Sequence, residues 1–89
     1  MEFEWDENKN QSNREKHGID FNDAKEVFKD ESKKVSLDLR KDYSESRWKI
    51  VGKIYGSIIT VIYTMRDKAV RIISARKASK NERDEYNCK

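Results

Sequence analysis

The side chains of this sequence that could do chemistry are mainly basic and phenolic. They are Lys9, Lys16, His17, Arg47, Tyr63, Arg71, Arg76, Arg83 and Tyr86. Such a set suits metal-free cleavage of an RNA phosphodiester, in which the 2′-hydroxyl attacks the adjacent phosphorus. The protein then has to position the strand, neutralise charge that develops on the phosphate, and move two protons. Arginines can neutralise the charge, and His17 or Tyr86 can transfer protons.

Other catalytic patterns are missing from the sequence. It has no glycine-rich phosphate loop, and one histidine with one cysteine cannot form a zinc site. The spacing of the carboxylates does not favour a magnesium site. We therefore predict no metal and no cofactor.

Several of the basic residues also have a structural interpretation. His17 directly precedes Gly18, so it could hydrogen-bond the last carbonyls of a helix. Arg71 could form an ion pair at the margin of a sheet, and Arg83 could pair with glutamates on a helix surface. Arg47 could be a charge at a strand edge. Both interpretations of each residue remain open at this stage.

Composition and charge indicate one small domain with a basic half. The chain has 89 residues, 42% of them charged, which is enough for a single domain over residues 1–89. Residues 1–46 carry nine Lys/Arg against 13 Asp/Glu, whereas residues 47–89 carry 11 against four. Segregated basic charge is typical of a surface that meets nucleic acid or an acidic protein.

The sequence also predicts a location in the cytoplasm without membrane contact. The longest nearly apolar stretch, from Ile58 to Tyr63, is far shorter than the roughly 20 residues that cross a bilayer. The first residues lack a basic head and an apolar signal core. The single Cys88 cannot form an internal disulfide, as expected for a reducing compartment.

The elements that must position the basic residues form an α+β pattern. The predicted segments are a strand at Phe3–Trp5, a helix from Asp6 to His17, a helix from Asp20 to Lys29, strands at Val35–Leu39, Arg47–Tyr55, Ile58–Arg66 and Val70–Ala75, a loop from Arg40 to Ser46, and a C-terminal helix capped by Ser79. This order predicts an antiparallel sheet with two N-terminal helices and a C-terminal helix packed on one face. Strand Ile58–Arg66 is apolar on both sides and should be central.

Two segments carry more specific expectations. No apolar residue lies between Trp5 and Ile19, so polar contacts from Lys9, Asn13 or Lys16 must hold the first helix, and a functional face is favoured there. In the last strand, simple alternation places Arg71 on one face with Ile73 and Ala75. An arginine in an otherwise apolar row of a strand favours an exposed guanidinium group with a functional role.

These residues resemble a known family, the BrnT toxins of bacterial type II toxin–antitoxin systems. The resemblance runs nearly end to end, from Phe3-x-Trp5-Asp6 through Glu45-x-Arg47-Trp48 to Glu82-Arg83-x-x-Tyr86. Its most specific parts are Lys16-His17-Gly18 with the apolar stripe that follows, and Arg71-Ile-Ile-Ser-Ala-Arg76 followed by Glu82-Arg83. It implies a RelE-like ribonuclease fold, RNA cleavage that inhibits translation, and neutralisation by a BrnA-like antitoxin.

The resemblance also implies roles for individual residues and partners. The expected catalytic residues are His17, Arg47, Arg71 and Arg76, and the expected RNA-binding residues are Lys9, Lys16 and Arg83. The toxin and antitoxin are expected to form a heterotetramer or larger complex through antitoxin dimerisation, with operator DNA bound only through the antitoxin. This chain departs from many relatives by having Glu31, not proline, after Asp30. The alternative function is a non-catalytic module that binds nucleic acid or protein, as an antitoxin partner or corepressor.

Overall fold

The computed structural model describes residues 1–38 and 46–88 and confirms the α+β class. The elements are β1 (Glu2–Glu4), α1 (Glu7–His17), α2 (Phe21–Ala24), a 3₁₀ helix (Lys25–Lys29), β2 (Lys34–Leu37), β3 (Trp48–Ile54), β4 (Ser57–Arg66), β5 (Ala69–Lys77) and α3 (Lys80–Asn87). Leu39 and most of the predicted loop from Arg40 to Ser46 lie outside the described residues. Within the described ranges, no helix is long and apolar enough to cross a membrane.

The helix boundaries follow local capping signals, as predicted. The Asp6 side chain accepts a hydrogen bond from the Asn8 N–H at 2.8 Å, and α1 ends at Gly18, whose φ of 74° is left-handed. Ser79 caps α3 as predicted, and it forms a capping box with Glu82. The second predicted helix is capped at Asp20 but is not one regular helix, because α2 tightens into the 3₁₀ helix after one turn.

The prediction of an antiparallel sheet is wrong at one edge. The strand order is β1-β5-β4-β3-β2, with β4 in the centre as expected. Strands β2 to β5 form an antiparallel meander, but β1 runs parallel to β5, with Glu2 opposite Ala69 and Glu4 opposite Arg71. The physical reason is the helical crossover, which carries the chain from β1 to the far edge before the four-stranded meander returns to β1.

The hydrophobic core lies on one face of the sheet. Its buried residues are Phe21, Ala24, Val27, Ile50, Ile59, Val61, Tyr63, Val70, Ile72 and Ala75. Alternate residues of β3, namely Trp48, Ile50, Gly52 and Ile54, face this core. Gly52 allows the closest approach: a Cβ at that position would lie 2.6 Å from Cγ2 of Val27.

The prediction that all helices pack on one face is wrong for α3. Glu82 of α3 accepts a hydrogen bond from the Thr60 hydroxyl at 2.9 Å. Thr60 lies between Ile59 and Val61 in β4, so its side chain is on the face opposite the core. We call this side the α3 face. Its residues, from the strand register, include Lys49, Val51, Thr60, Ile62, Thr64, Arg71, Ser74 and Arg76.

A β-bulge in β5 decides which residues share the α3 face. Ile62 lies opposite Ser74 and Tyr63 opposite Ile72, so Ile73 is the extra residue. In a regular strand, Arg71 and Arg76 would point to opposite faces, since they are five residues apart. The bulge places both on the α3 face and Ala75 in the core. The prediction that Arg71 shares a face with Ala75 is therefore wrong.

Candidate functional site

The arginines of the α3 face are held by carboxylates. Arg76 binds Glu82 through two parallel contacts, Nη1 to Oε1 at 2.7 Å and Nη2 to Oε2 at 2.9 Å. Arg71 Nη1 lies 2.7 Å from Glu4 Oε2 on the neighbouring strand β1. Lys49 Nζ adds a third cation, 3.4 Å from Glu82 Oε2. The ion pairs orient the two guanidinium groups but leave part of each accessible.

Glu82 is a fixed anion on this face. Burial raises the pKa of Glu82, but hydrogen bonds from Arg76, from the Ser79 N–H and from the Thr60 hydroxyl outweigh it, so the pKa lies well below the usual range. The carboxylate is therefore ionised at neutral pH. Because its oxygens already accept these bonds, Glu82 is suited to positioning Arg76 and not to abstracting a proton.

Arg47 belongs to a second row of this face. It directly precedes β3, and alternation along the strand places it on the side of Lys49. Thr64, the neighbour of Arg71 in the register, donates a hydrogen bond from its hydroxyl to the Ser46 carbonyl at 2.6 Å. This contact brings the residue before Arg47 against β4. Arg71 of β5 and Arg47, just before β3, thus lie on the two sides of β4 next to Thr64.

A cleft of about 340 Å³ opens between α1 and the outer edge of β5. We call it the α1 cleft; its lining residues are Asn8, Lys9, Ser12, Asn13, Lys16, His17, Ile73 and Ser74. The cleft contains three of the residues predicted to act on RNA: Lys9, Lys16 and His17. Ser74 lines the cleft and also belongs to the α3 face, because it lies opposite Ile62.

Buried asparagines fasten α1 beside the sheet. Beyond the end of β1, the Asn13 side chain takes the place of a neighbouring strand: it donates to the Ala75 carbonyl at 2.8 Å and accepts from the Ala75 N–H at 3.1 Å. Asn10 accepts a bond from the Phe21 N–H at 2.9 Å. The prediction that polar contacts hold α1 is confirmed for Asn13, and sequence reasoning missed Asn10.

The basic side chains of the α1 cleft have no polar partner within the described part of the protein. Among the residues described by the structure, the side chains of Lys9, Lys16 and His17 make no ion pair or hydrogen bond. By contrast, Arg14 on the same helix binds Asp20 at 2.8 Å. His17 therefore does not bond the last carbonyls of α1, whose end is closed by the Gly18 N–H. These three side chains are available to an external anion.

Tyr86 does not line the α1 cleft, and its hydroxyl makes a structural contact. Its hydroxyl donates to Asp30 Oδ2 at 2.5 Å, and the same oxygen accepts from the Lys53 N–H at 2.8 Å. The hydrogen bond to Asp30 raises the pKa of Tyr86. This arrangement fastens α3 to the body of the protein. Tyr63 lies in the core, its ring centroid 5.0 Å from that of Phe28.

The structure thus divides the predicted site residues into two groups that meet at the bulge of β5. Arg47, Arg71 and Arg76 lie on the α3 face, and Lys9, Lys16 and His17 lie in the α1 cleft. Ser74 belongs to both surfaces, and Arg71 and Arg76 stand on either side of it along β5. Arg83 joins neither group, since it donates to the Ala78 carbonyl at 2.8 Å.

Sequence reasoning missed Lys49, Ser74 and Glu82 as members of the site. Lys49 had a detectable signal, because it alternates with Arg47 along the predicted strand. Glu82 stands out in the sequence only as part of the family motif Glu82-Arg83, and its contact with Arg76 depends on the tertiary fold. Within the described ranges, no three His, Cys, Asp or Glu side chains are grouped as they would be to hold a metal ion.

Comparison with known proteins identifies a family. Residues 5–82 match the family described as ribonuclease toxin, BrnT, of type II toxin–antitoxin system. No curated protein matches the sequence. The matched range includes α1, the whole meander and the start of α3, so it contains both groups of site residues. The chain therefore belongs to the BrnT family of ribonuclease toxins, as the residue motifs predicted.

Proposed function

We propose that this chain is an endoribonuclease toxin that cleaves RNA through the 2′-hydroxyl without a metal ion, and that this cleavage inhibits translation. One observation carries the proposal: the bulge of β5 lies between Arg71 and Arg76 and opens directly into a cleft with three unpaired basic side chains. A polyanion crossing β5 would meet fixed arginines on one side and free lysines and His17 on the other.

In the proposed mechanism, the arginines of the α3 face stabilise the phosphate. Arg71 and Arg76 lie opposite Thr64 and Thr60, each two residues along β4 from Ile62, the partner of Ser74. Ser74 is therefore separated from each arginine by about 7 Å along the sheet, at the usual rise per residue. A phosphate bound over Ser74 is thus within reach of both long side chains. Arg47 adds charge from the neighbouring row. Glu4 and Glu82 hold the guanidinium groups in place, which reduces the reorganisation needed in the transition state.

Proton transfer is assigned to His17. It takes the proton of the 2′-hydroxyl as that oxygen bonds to phosphorus, and returns it to the 5′-oxygen as the P–O5′ bond breaks and the cyclic phosphate forms. Its side chain borders the cleft on the other side of Ser74 and is not engaged by another described residue. Histidine is the side chain best suited to exchange protons near neutral pH. Lys9 and Lys16 contact the flanking RNA backbone, and Arg83 makes a peripheral contact from the start of α3.

The family context supports a partner for this toxin. Type II toxins are paired with a protein antitoxin. We propose that this antitoxin is BrnA-like, that the complex is a heterotetramer or larger through antitoxin dimerisation, and that operator DNA is bound only through the antitoxin. An RNA substrate supports a location in the cytoplasm, which is part of the proposal.

The direct test uses the purified chain, freed of any partner, with end-labelled RNA in EDTA and without ribosomes. We expect fragments that end in cyclic phosphates. Arg71→Ala should reduce the cleavage rate by about 100-fold or more, because a fixed donor to the phosphate is lost. The matched control is Arg66→Ala, which removes an exposed arginine at the end of β4 and should leave the rate unchanged.

Arg71 is a cleaner test residue than Arg76. The partner of Arg71, Glu4, is partly exposed, whereas Arg76→Ala would also leave the buried Glu82 without its main cation. Equal cleavage by wild type and Arg71→Ala would contradict the catalytic assignment, and cleavage that needs added metal would contradict the mechanism.

The second candidate is a module that binds RNA without cutting it. The observation that favours it is the engagement of Arg71 and Arg76 by carboxylates before any substrate arrives. This candidate predicts retention of intact RNA under the same conditions, with no toxicity when the chain is expressed without its antitoxin.

A further inference from the structure

The α1 cleft combines two kinds of surface that a nucleotide needs. Lys9 and Lys16 supply positive charge, seven residues apart on α1, which corresponds to about 10 Å along the helix axis. Ile73, the bulge residue of β5, supplies an apolar patch on the sheet side of the cleft. A phosphate requires the first surface and a nucleobase the second.

Polar groups that can distinguish bases line the same cleft. The Asn8 amide can both donate and accept, and the Ser12 hydroxyl can do the same. Neither side chain hydrogen-bonds to another described residue. The bond between Asn8 and the Asp6 carboxylate comes from the backbone N–H of Asn8. Asn13 also lines the cleft, but its amide is committed to Ala75 and Ile19. The free groups therefore point to recognition by Asn8 and Ser12.

The dimensions fit a single nucleotide. A cleft of about 340 Å³ lies at the small end of the range for small-molecule sites. It meets the α3 face at Ser74, so a nucleotide held there would be a neighbour of the phosphate bound between Arg71 and Arg76.

We propose that the α1 cleft is a nucleotide subsite, which binds one RNA nucleotide next to the cleaved bond and makes cleavage depend on its base. Lys9 and Lys16 contact the phosphates that flank this nucleotide, the base packs on Ile73, and Asn8 and Ser12 hydrogen-bond to its edge. The inference rests on the proposed function, because it takes RNA as the substrate. It adds a location and a chemical basis for sequence preference.

The test is an NMR titration of the full chain in EDTA with each of the four nucleoside 3′-monophosphates and with inorganic phosphate. We expect saturable shifts at residues 8–17 and at Ile73 and Ser74, with one base bound more tightly than the others. Lys16→Ala should weaken binding about tenfold, as expected for loss of one charge-assisted contact. The matched control is Lys34→Ala, an exposed lysine on β2 at the opposite edge of the sheet, which should bind as wild type does.

Two results would overturn the subsite. One is equal binding of inorganic phosphate and all four nucleotides, which would indicate a site for phosphate only. The other is the absence of shifts in the cleft at saturating nucleotide.

Mapping of cleavage sites separates this inference from the proposed function. Asn8→Ala should cleave RNA with an altered base preference, and unchanged preference would contradict recognition by Asn8. Cleaved RNA without nucleotide-induced shifts in the cleft would overturn the subsite and leave the ribonuclease standing. Nucleotide binding in the cleft with intact RNA would overturn the ribonuclease and leave the subsite standing.

Discussion

The carboxylate of Glu82 connects α3 to the sheet through an ion pair and hydrogen bonds. Its carboxylate accepts bonds from Arg76, the Ser79 N–H and the Thr60 hydroxyl, and only 6% of the residue is exposed. Loss of one partner from such a group is costly, because the buried charge remains while its compensation is reduced. The side chain that positions Arg76 is therefore also a determinant of stability.

At the residue scale, this predicts an acid sensitivity with a definite sign. The pKa of Glu82 is lowered in the folded protein relative to its ordinary value of 4.5. The stabilisation is therefore fully present above about pH 4.5 and is lost as the pH falls through the folded pKa. Urea denaturation at a series of pH values should show a free energy of unfolding that declines below about pH 5.

Replacing Glu82 with Gln tests this origin. Glu82→Gln should lower the free energy of unfolding at pH 7 and flatten its decline in acid, because the titrating group has been removed. Glu85→Gln is the matched control on the exposed side of α3 and should behave as wild type does. An unchanged acid profile in Glu82→Gln would show that other carboxylates cause the decline.

At the scale of elements, α1 is an unusual helix because amide side chains replace an apolar stripe. The buried residues of α1 are Asn10 and Asn13. Asn13 satisfies both backbone groups of Ala75 at an edge where β1 no longer pairs. The polar attachment leaves the lysines and His17 of the same helix free for the cleft.

Asn13→Ala should destabilise the protein by about 2–3 kcal/mol, because two buried backbone groups lose their partners. Asn13→Asp is the informative comparison, since it keeps the acceptor for the Ala75 N–H but places a carboxylate against the Ala75 carbonyl; it should not restore stability. Thermal denaturation measures both. A melting temperature for Asn13→Ala equal to that of wild type would contradict the strand-like role of this side chain.

The 3₁₀ helix is attached to β3 by close contact at Gly52. An added Cβ would lie 2.6 Å from Val27 Cγ2, and Val27 is fully buried. Gly52→Ala should therefore cost about 1–3 kcal/mol by overpacking. In a double-mutant cycle followed by urea denaturation, Val27→Ala should remove most of this cost, because the clashing methyl group is gone. If the two substitutions change the free energy of unfolding additively, the strain does not arise from the contact with Val27.

At the scale of the whole molecule, the basic side chains predict a strong salt dependence of RNA binding. If the proposed contacts of Arg47, Arg71, Arg76, Lys9 and Lys16 each neutralise one phosphate, the logarithm of the binding constant should fall with the logarithm of salt concentration with a slope of about −3 to −4. Fluorescence anisotropy with RNA whose 2′-hydroxyls are blocked measures this without cleavage.

Lys16→Ala should reduce the magnitude of this slope by about 0.7, the increment for one phosphate contact on a single strand. Lys34→Ala should leave the slope unchanged. Binding that does not respond to salt would contradict a phosphate-based interface.

The local features of this protein follow from short-range signals in its sequence. Caps at Asp6, Asp20 and Ser79, the stop at Gly18, the strand pattern and the polar nature of α1 could all be predicted, because each depends on neighbours within a few residues. The same holds for the family motifs, which proved sufficient to identify the BrnT family. The basic residues of the candidate site were also recognisable by type.

Only the tertiary structure decided how those residues are grouped. The parallel pairing of β1 with β5 and the contact of Arg71 with Glu4 join residues 67 positions apart, which local patterns do not specify. The extra residue Ile73 moves Arg76 to the face of Arg71, since a shift of one residue reverses every later side chain in a strand. The site is thus set by register and by helix placement, which depend on the packing of the whole domain.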